Sequence, residues 1–261
     1  MNTKQISHFP INDNSNGWSR ILPPRPPKSA LSGQHRVNWV VIGGGYVGLA
    51  AARRLAENRP DDSILLLEAG VVGDLKMIHG VFTFHLTRPD NIRWLPEFGG
   101  GALMDVGCYC INVSRTITNS EPVEVQALAT WASTGVDDMM SGTIRFVDDV
   151  LASFECGLNT KRRESYEIGG TDACLRVADA FLPGTDEVFI EEMRDGEEPV
   201  LHAIAGIDEY QCMVEHFADC VLNDRQPRYS ADEAALNMRV IEALYESVRN
   251  GGRPVSVDRN A

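Results

Sequence analysis

Two short apolar runs near the start of the chain have the composition of buried strands. Val37 to Ile42 is rich in β-branched residues, and Ser63 to Glu68 is built around isoleucine and leucine. The segment between them, Tyr46 to Asn58, predicts a helix because apolar residues recur on one face. The pattern therefore predicts one βαβ unit over residues 36–71. Residues 1–35 are proline-rich and predict an irregular, extended arm, with an SH3-domain ligand as the alternative.

Strand-like runs dominate the chain after the βαβ unit. A helix is predicted from Leu103 to Thr118, and Asp148-Asp149 has the composition of a hairpin turn. The predicted strands are 77–86, 123–132, 141–146, 150–155, 165–168 and 173–178. Most of these strands follow one another without an intervening helix, which implies an antiparallel sheet.

Two further helices are predicted near the C-terminal end. The first has an apolar stripe at spacings of three and four residues, made of Ile207, Tyr210, Val214, Phe217 and Val221. The second begins at a capping box of Ser230 and Glu233 and ends before Gly251-Gly252. The predicted fold class is α/β. A truncated Rossmann-type βαβ unit precedes an α+β domain, residues 72–261, with a large, mostly antiparallel open sheet and flanking helices.

Composition and charge exclude some function classes. The chain has 261 residues and a net charge of −13, which argues against nucleic acid because phosphate binding needs a basic face. Residues 1–70 hold eight Lys/Arg against five Asp/Glu, whereas the remainder holds sixteen against thirty-two. No apolar run is long enough for a membrane helix, and the polar N-terminus lacks the apolar core of a secretory signal. The six scattered cysteines favour a reduced, cytoplasmic protein.

The motif Gly43-x-Gly45-x-x-Gly48 joins the first predicted strand to the predicted helix. In such a turn the first glycine permits the bend, the second lets the backbone approach a pyrophosphate, and the third lets helix and strand pack closely. The helix N-terminus presents free N–H groups to the phosphates. Glu68 follows Gly48 by twenty residues, near the offset of a carboxylate that binds a ribose hydroxyl. These four residues are predicted to bind an ADP-containing cofactor.

A second motif, Gly99-Gly100-Gly101, precedes the helix that carries Asp105 and Tyr109. Residues four apart share one helical face, and a tyrosine beside a carboxylate can pass a proton to or from a substrate hydroxyl or carbonyl. Spacing by itself favours the structural alternative of an N-terminal aspartate and a half-buried tyrosine. The pair Cys108-x-Cys110 favours packing, because such side chains diverge on a helix, and no metal site is predicted.

The segment from about residue 23 to 70 resembles the beginning of FAD-dependent oxidoreductases of the D-amino-acid oxidase and glycine oxidase type. The residues that carry this resemblance are Pro23 to Pro27, Val40 to Ala52 and Leu66 to Gly70. In that family the segment holds the ADP half of FAD. The resemblance implies FAD as a cofactor.

From about Val72 to Val257 the chain resembles the C-terminal domain of the glucose–fructose oxidoreductase and inositol dehydrogenase (Gfo/Idh/MocA) family. The matching residues are Gly73 to Leu75, Gly99 to Cys110, Tyr229 to Ala234 and Ile241 to Ser247. Tyr109 stands where many members have histidine, as in the branch with xylose and dihydrodiol dehydrogenases. The resemblance implies that Tyr109 and Asp105 are catalytic. It also implies a nicotinamide cofactor, NAD(P), and homo-oligomers formed through the C-terminal sheet.

The chain departs from both families. It has no Glu-Lys-Pro motif, whose lysine serves the second family. The full N-terminal NAD(P)-binding domain of the second family is not recognised, nor are the large substrate domain and further flavin contacts of the first. The sequence therefore predicts a composite in which the opening of one oxidoreductase is joined to the closing domain of another near residues 69–74. A natural fusion, a deletion and a gene-assembly artefact all remain open as its origin.

Three functions follow from these features. The first is an oxidoreductase of the Gfo/Idh/MocA type that acts on a sugar, polyol or related alcohol or carbonyl as its small-molecule substrate. The second is an FAD-dependent amine or amino-acid oxidase. The third is a non-catalytic oligomeric or interaction module.

Overall fold

The computed structural model describes residues 35–37, 39–42, 64–67, 71–206, 208–227 and 229–257. The predicted helix 46–58 and the residues Gly43, Gly45, Gly48 and Glu68 lie outside the described residues. Where the structure describes the chain, the predicted α/β class with a large open sheet and flanking helices is confirmed.

A ten-stranded mixed sheet organises the described part of the chain. Its strands are β1 (His35–Val37), β4 (Leu75–His85), β5 (Glu124–Trp131), β6 (Asp137–Arg145), β7 (Leu151–Gly157), β8 (Asn159–Gly170), β9 (Cys174–Ala178), β10 (Val188–Met193), β11 (Val200–Ile204) and β12 (Val255–Ser256). Their spatial order is β1-β11-β10-β9-β8-β4-β7-β6-β5-β12. The pairings are antiparallel except for β4 with β7 and β1 with β11, so the sheet is mostly antiparallel as predicted.

The two remaining strands, β2 (Trp39–Ile42) and β3 (Ile64–Leu67), form a separate two-stranded sheet. They pair in parallel with Ile42 opposite Leu67, as the strands of a βαβ unit do. The predicted strand from Val37 to Ile42 is confirmed over Trp39–Ile42, but its first residue belongs to another strand. Val37 ends β1 in the large sheet and Trp39 begins β2 in the small one, with one residue between them.

Several strand bounds also differ from the predictions. β8 extends over twelve residues, far beyond the predicted 165–168, and the hydrophobic pattern did not indicate β10, β11 or β12. The predicted turn at Asp148-Asp149 is confirmed as the hairpin between β6 and β7. The backbone of Asp149 takes a positive φ of 58° there, a conformation that aspartate tolerates better than most residues.

The described residues include three α-helices: α1 (Cys108–Thr118), α2 (Glu209–Leu222) and α3 (Ala231–Arg249). Helices α1 and α3 pack on one face of the sheet and bury the main core, whose largest fully buried side chains include Phe146, Phe154 and Leu244. Ser230 caps α3 by accepting a hydrogen bond from the Glu233 N–H, 3.2 Å away. The Glu233 carboxylate lies 2.9 Å from the buried Arg115 of α1, so the predicted capping pair also joins two helices.

Helix α2 differs from the other two because its apolar stripe faces solvent. The exposed large apolar side chains on this helix are Tyr210, Met213, Val214, Phe217, Val221 and Leu222, at 58–82% exposure. Its one buried residue is Cys220. None of the described helices is both long and apolar enough to cross a membrane.

Candidate active site

Asp105 and Tyr109 lie on one helical segment that begins with an unusual turn. Residues Leu103–Gly107 form a π-helical turn that leads directly into α1, and the Cys108 N–H donates to the Leu103 carbonyl. A π turn holds more than four residues, so Asp105 and Tyr109 remain close to the same face. Such turns are rare and occur often at functional sites.

A buried carboxylate fixes the start of the π turn. Asp137 on β6 is 1% exposed. Its Oδ2 accepts a hydrogen bond from the Leu103 N–H at 2.7 Å, and its Oδ1 accepts one from the Tyr245 hydroxyl at 2.7 Å. Burial raises the pKa of Asp137, and the bonds from Tyr245 and Leu103 oppose the rise.

Glycine at position 101 makes this arrangement possible. A Cβ at Gly101 would lie 2.1 Å from Asp137 Oδ1, and the backbone φ there is +120°. Both conditions exclude larger residues. The sequence run Gly99-Gly100-Gly101 therefore has a structural role at the entrance to the site.

Arg93 pairs with the predicted site carboxylate. Its Nε donates to Asp105 Oδ2 at 2.6 Å, and the two side chains are 40% and 20% exposed. The Arg93 carbonyl accepts the Gly101 N–H at 3.0 Å. Since a Cβ at Gly100 would lie 2.4 Å from the same carbonyl, the glycine run permits the close approach of Arg93 to Asp105.

Tyr109 sits at the surface end of an aromatic cluster. Its ring centroid lies 5.5 Å from that of Phe82 and 5.8 Å from that of Phe181, and 43% of the residue is exposed. Partial burial raises the pKa of Tyr109, with further increases from Cys108, Tyr210 and Asp105, and Arg93 lowers it. The phenol is therefore protonated at neutral pH and can donate a proton to a molecule at the surface.

The segment carrying Tyr109 packs closely on the sheet. A Cβ at Gly107 would lie 2.8 Å from Cys156 Sγ, and one at Gly80 would lie 3.1 Å from the Cys110 Cβ. Cys110 and Cys156 are fully buried, which agrees with packing as the role of Cys110. Within the described residues no three His, Cys, Asp or Glu side chains group as a metal site would require.

The structure thus brings Asp105 and Tyr109 together, whereas the four predicted cofactor residues lie outside the part that it describes. The parallel register places the ends of β2 and β3 at one edge, and Gly43 and Glu68 follow those ends directly in sequence. Sequence analysis did not identify Arg93, Asp137 or Phe181. The glycine run indicates close packing, and this pattern in the sequence could have pointed to Arg93 and Asp137.

The comparisons with known proteins agree on one family. Residues 65–176 match the model of the GFO/IDH/MocA C-terminal domain. Over this range the chain is similar to the GFO/IDH/MocA C-terminal domain. The resemblance of the segment from Val72 onward to that family is confirmed, while the resemblance of the N-terminal segment to FAD-dependent oxidases receives no support.

Named relatives of the GFO/IDH/MocA domain are dehydrogenases. D-xylose 1-dehydrogenase (NADP(+)) 2 of Haloferax volcanii is 32% identical over 188 residues, which are 71% of this chain and 57% of the relative. Trans-1,2-dihydrobenzene-1,2-diol dehydrogenase of Mus musculus is 27% identical, over 60% of this chain and 47% of the relative. The chain thus spans about half the length of these two relatives.

Solved structures support the same fold. The aldose-aldose oxidoreductase from Caulobacter crescentus, complexed with glycerol, superposes with a TM-score of 0.65 at 23% identity, covering 78% of this chain and 59% of that one. At this identity the likeness establishes the fold alone.

Proposed function

We propose that this chain carries the substrate-binding and proton-transfer part of a nicotinamide-dependent oxidoreductase acting on a sugar or related alcohol or carbonyl. The observation that carries the proposal is the half-exposed Tyr109, whose pKa is influenced by the Arg93–Asp105 ion pair, with 2.6 Å between Nε and Oδ2. The names of the relatives, which include xylose and dihydrodiol dehydrogenases, support the substrate class.

In this proposal Tyr109 exchanges the proton of the reacting oxygen. When a carbonyl is reduced, the Tyr109 hydroxyl donates its proton to the carbonyl oxygen; in the reverse direction the deprotonated phenolate of Tyr109, which high pH favours, accepts the hydroxyl proton of the alcohol. The raised pKa of Tyr109 suits the donor form, because the phenol stays protonated at neutral pH. Arg93 holds the Asp105 carboxylate in one orientation, so that its free oxygen accepts a hydrogen bond from a substrate hydroxyl.

The proposed cofactor is NAD(P): the printed name of the xylose dehydrogenase relative favours NADP, whereas a carboxylate at Glu68 favours the free ribose hydroxyl of NAD. A nicotinamide supplies the hydride acceptor or donor when it is bound. The parallel register of β2 and β3, with Ile42 opposite Leu67, fits a dinucleotide site at the carboxyl edge of two parallel strands. Gly43, Gly45, Gly48 and Glu68 are proposed to hold the ADP half there.

The test is a fluorescence titration of the chain with NADPH, followed by turnover of aldoses with NADP⁺. We expect saturable binding and xylose-dependent NADPH formation, both weakened in a variant with Gly45→Val in the cofactor turn. Absence of binding at about millimolar cofactor, a thousandfold above a micromolar dissociation constant, would remove the proposal.

A second candidate function, an oligomer-forming module without turnover, is favoured by the exposed apolar stripe of α2. Exposed apolar patches of this kind mark interaction surfaces. Light scattering that shows a stable homo-oligomer, together with a melting temperature that NADP⁺ does not change, would favour this candidate. A real cofactor at a hundred times its dissociation constant adds about 2.7 kcal/mol to the free energy of unfolding, so the two candidates are separable.

A further inference from the structure

The loop between β9 and β10, residues 179–187, passes beside Tyr109 and is anchored at two points. The first anchor is Glu164 of β8, whose Oε2 accepts the Leu182 N–H at 3.1 Å. The second is Gly206, where a Cβ would lie 2.1 Å from the Asp186 carbonyl oxygen. The loop therefore approaches the backbone at residue 206 more closely than a side chain there would allow.

Glu164 is suited to be a rigid anchor. Its side chain is 3% exposed, and its Oε1 accepts a hydrogen bond from Arg162 Nε at 3.1 Å. Glu164 lies directly opposite Phe82 in the pairing of β8 with β4, which places the anchor beside the aromatic cluster. A buried carboxylate is retained only where its oxygens are paired, and here one of them is paired with the loop.

The anchored loop places the ring of Phe181 beside Tyr109. The Phe181 ring stacks on Phe82, with centroids 5.1 Å apart and planes 8° apart, and lies 5.8 Å from the Tyr109 centroid. Tyr166 completes the cluster at 6.3 Å from Phe181. Burial raises the pKa of Tyr166 to about 12, and Tyr166 is only partly exposed, whereas Tyr109 at the outer end is half-exposed.

We propose that Phe181 positions the Tyr109 ring, and that Glu164 keeps Phe181 in place through the Leu182 N–H. Phe82 lies on a strand and Phe181 comes from the loop, and the two stacked rings pack against the same side of Tyr109. The proposal rests on the proposed function only in taking Tyr109 as the proton-transferring group. Phe181 is in this sense a positioning residue, because it acts through Tyr109.

The experiment compares Phe181→Ala with the pair Glu164→Ala and Glu164→Gln. Glutamine retains an oxygen that can accept the Leu182 N–H, while its NH₂ group replaces the oxygen that accepts from Arg162; it is the control that keeps the loop bond and gives up the ion pair. The ionisation of Tyr109 is followed by ultraviolet difference titration, with Tyr109→Phe as the blank that isolates this one phenol. Exchange of the Leu182 amide hydrogen reports on the anchor directly.

We expect the Tyr109 pKa to fall toward its ordinary value in Phe181→Ala and in Glu164→Ala, because water reaches the ring, and to stay unchanged in Glu164→Gln. The Leu182 amide should exchange faster in Glu164→Ala than in Glu164→Gln. Where turnover is measurable, kcat should fall about 10- to 100-fold in both alanine variants with KM little changed, the effect of a misplaced catalytic group.

An unchanged Tyr109 pKa in a folded Phe181→Ala or Glu164→Ala variant would overturn the proposal, as would a rise in KM with kcat intact. If Phe181→Ala does not fold, the difference in Tyr109 pKa between Glu164→Ala and Glu164→Gln tests the proposal instead. A fall in the Tyr109 pKa in a chain with no turnover would support the positioning role and count against the proposed function, so the two failures are distinguishable.

Discussion

Replacement of Asp137 by alanine tests whether the start of the π turn depends on one buried carboxylate. The change leaves the Leu103 N–H and the Tyr245 hydroxyl, both 2.7 Å from Asp137 oxygens, without their acceptor. Hydrogen bonds to a charged group contribute about 1.5–3 kcal/mol each, so Asp137→Ala should lower the free energy of unfolding by about 3–6 kcal/mol. For a chain of this size the melting temperature should fall by about 6–24 °C.

Two further variants separate the contributions of the charge and of the individual hydrogen bonds to this loss of stability. In Asp137→Asn the amide oxygen can accept the Leu103 N–H while the amide N–H₂ donates to a rotated Tyr245 hydroxyl, so about 1–2 kcal/mol should be lost. Tyr245→Phe removes one bond and should cost about 1.5–3 kcal/mol.

The contribution of Asp137 to the stability of the chain changes with pH in a definite direction. Since burial raises the pKa of Asp137 in the folded state, its contribution to stability is complete below the unfolded pKa, about 4, and declines as the pH rises through the folded pKa. Asp137→Asn should remove that decline from the stability profile.

Urea denaturation followed by far-ultraviolet circular dichroism measures these free energies. If Asp137→Ala and Asp137→Asn lose equal stability, the hydrogen-bond assignment is refuted, because the amide would then contribute no more than a methyl group. A loss below about 1 kcal/mol for Asp137→Ala would refute the idea that this carboxylate holds the π turn.

Two other predictions concern the environment of Tyr109. Arg93→Ala should raise the pKa of Tyr109 and Asp105→Asn should lower it, because the cation lowers and the carboxylate raises that pKa; shifts in the same direction on difference titration would contradict the electrostatic account. Gly107→Ala should cost about 1–3 kcal/mol because its Cβ would lie 2.8 Å from Cys156 Sγ. The double variant with Cys156→Ala should regain part of that loss in urea denaturation, and an additive loss would argue against the contact.

Patterns within short stretches of the sequence predicted several elements correctly. The helix with Asp105 and Tyr109, the hairpin at Asp149 and the Ser230 cap all follow from periodicity, turn composition and capping chemistry. β10 was missed because Glu191 and Glu192 stand next to each other in it. Glu192 is buried by its contacts with His202, at 2.9 Å, and Arg194, at 2.8 Å, and both partners are visible only once the strands pair.

The dependence of contacts on strand pairing also explains why the predicted site lacks some residues. Asp137 lies 34 residues from Leu103 and 108 from Tyr245, and Phe181 reaches Tyr109 through a loop anchored on another strand. No spacing in the sequence encodes such contacts, because sheet order brings the residues together. The split between β1 and β2 could not be predicted either, since a single residue separates the two strands.

The most direct test of the central claim is the rate of NADP⁺ reduction by xylose and other aldoses, compared between this chain and its Tyr109→Phe variant. The phenylalanine ring preserves the contacts with Phe82 and Phe181 and removes only the hydroxyl, so the melting temperature should remain within about 2 °C. The account predicts turnover that falls about 10²- to 10⁴-fold in the variant, the usual contribution of a general acid or base. Full activity of the variant, or no turnover by the original chain with any aldose, would contradict it.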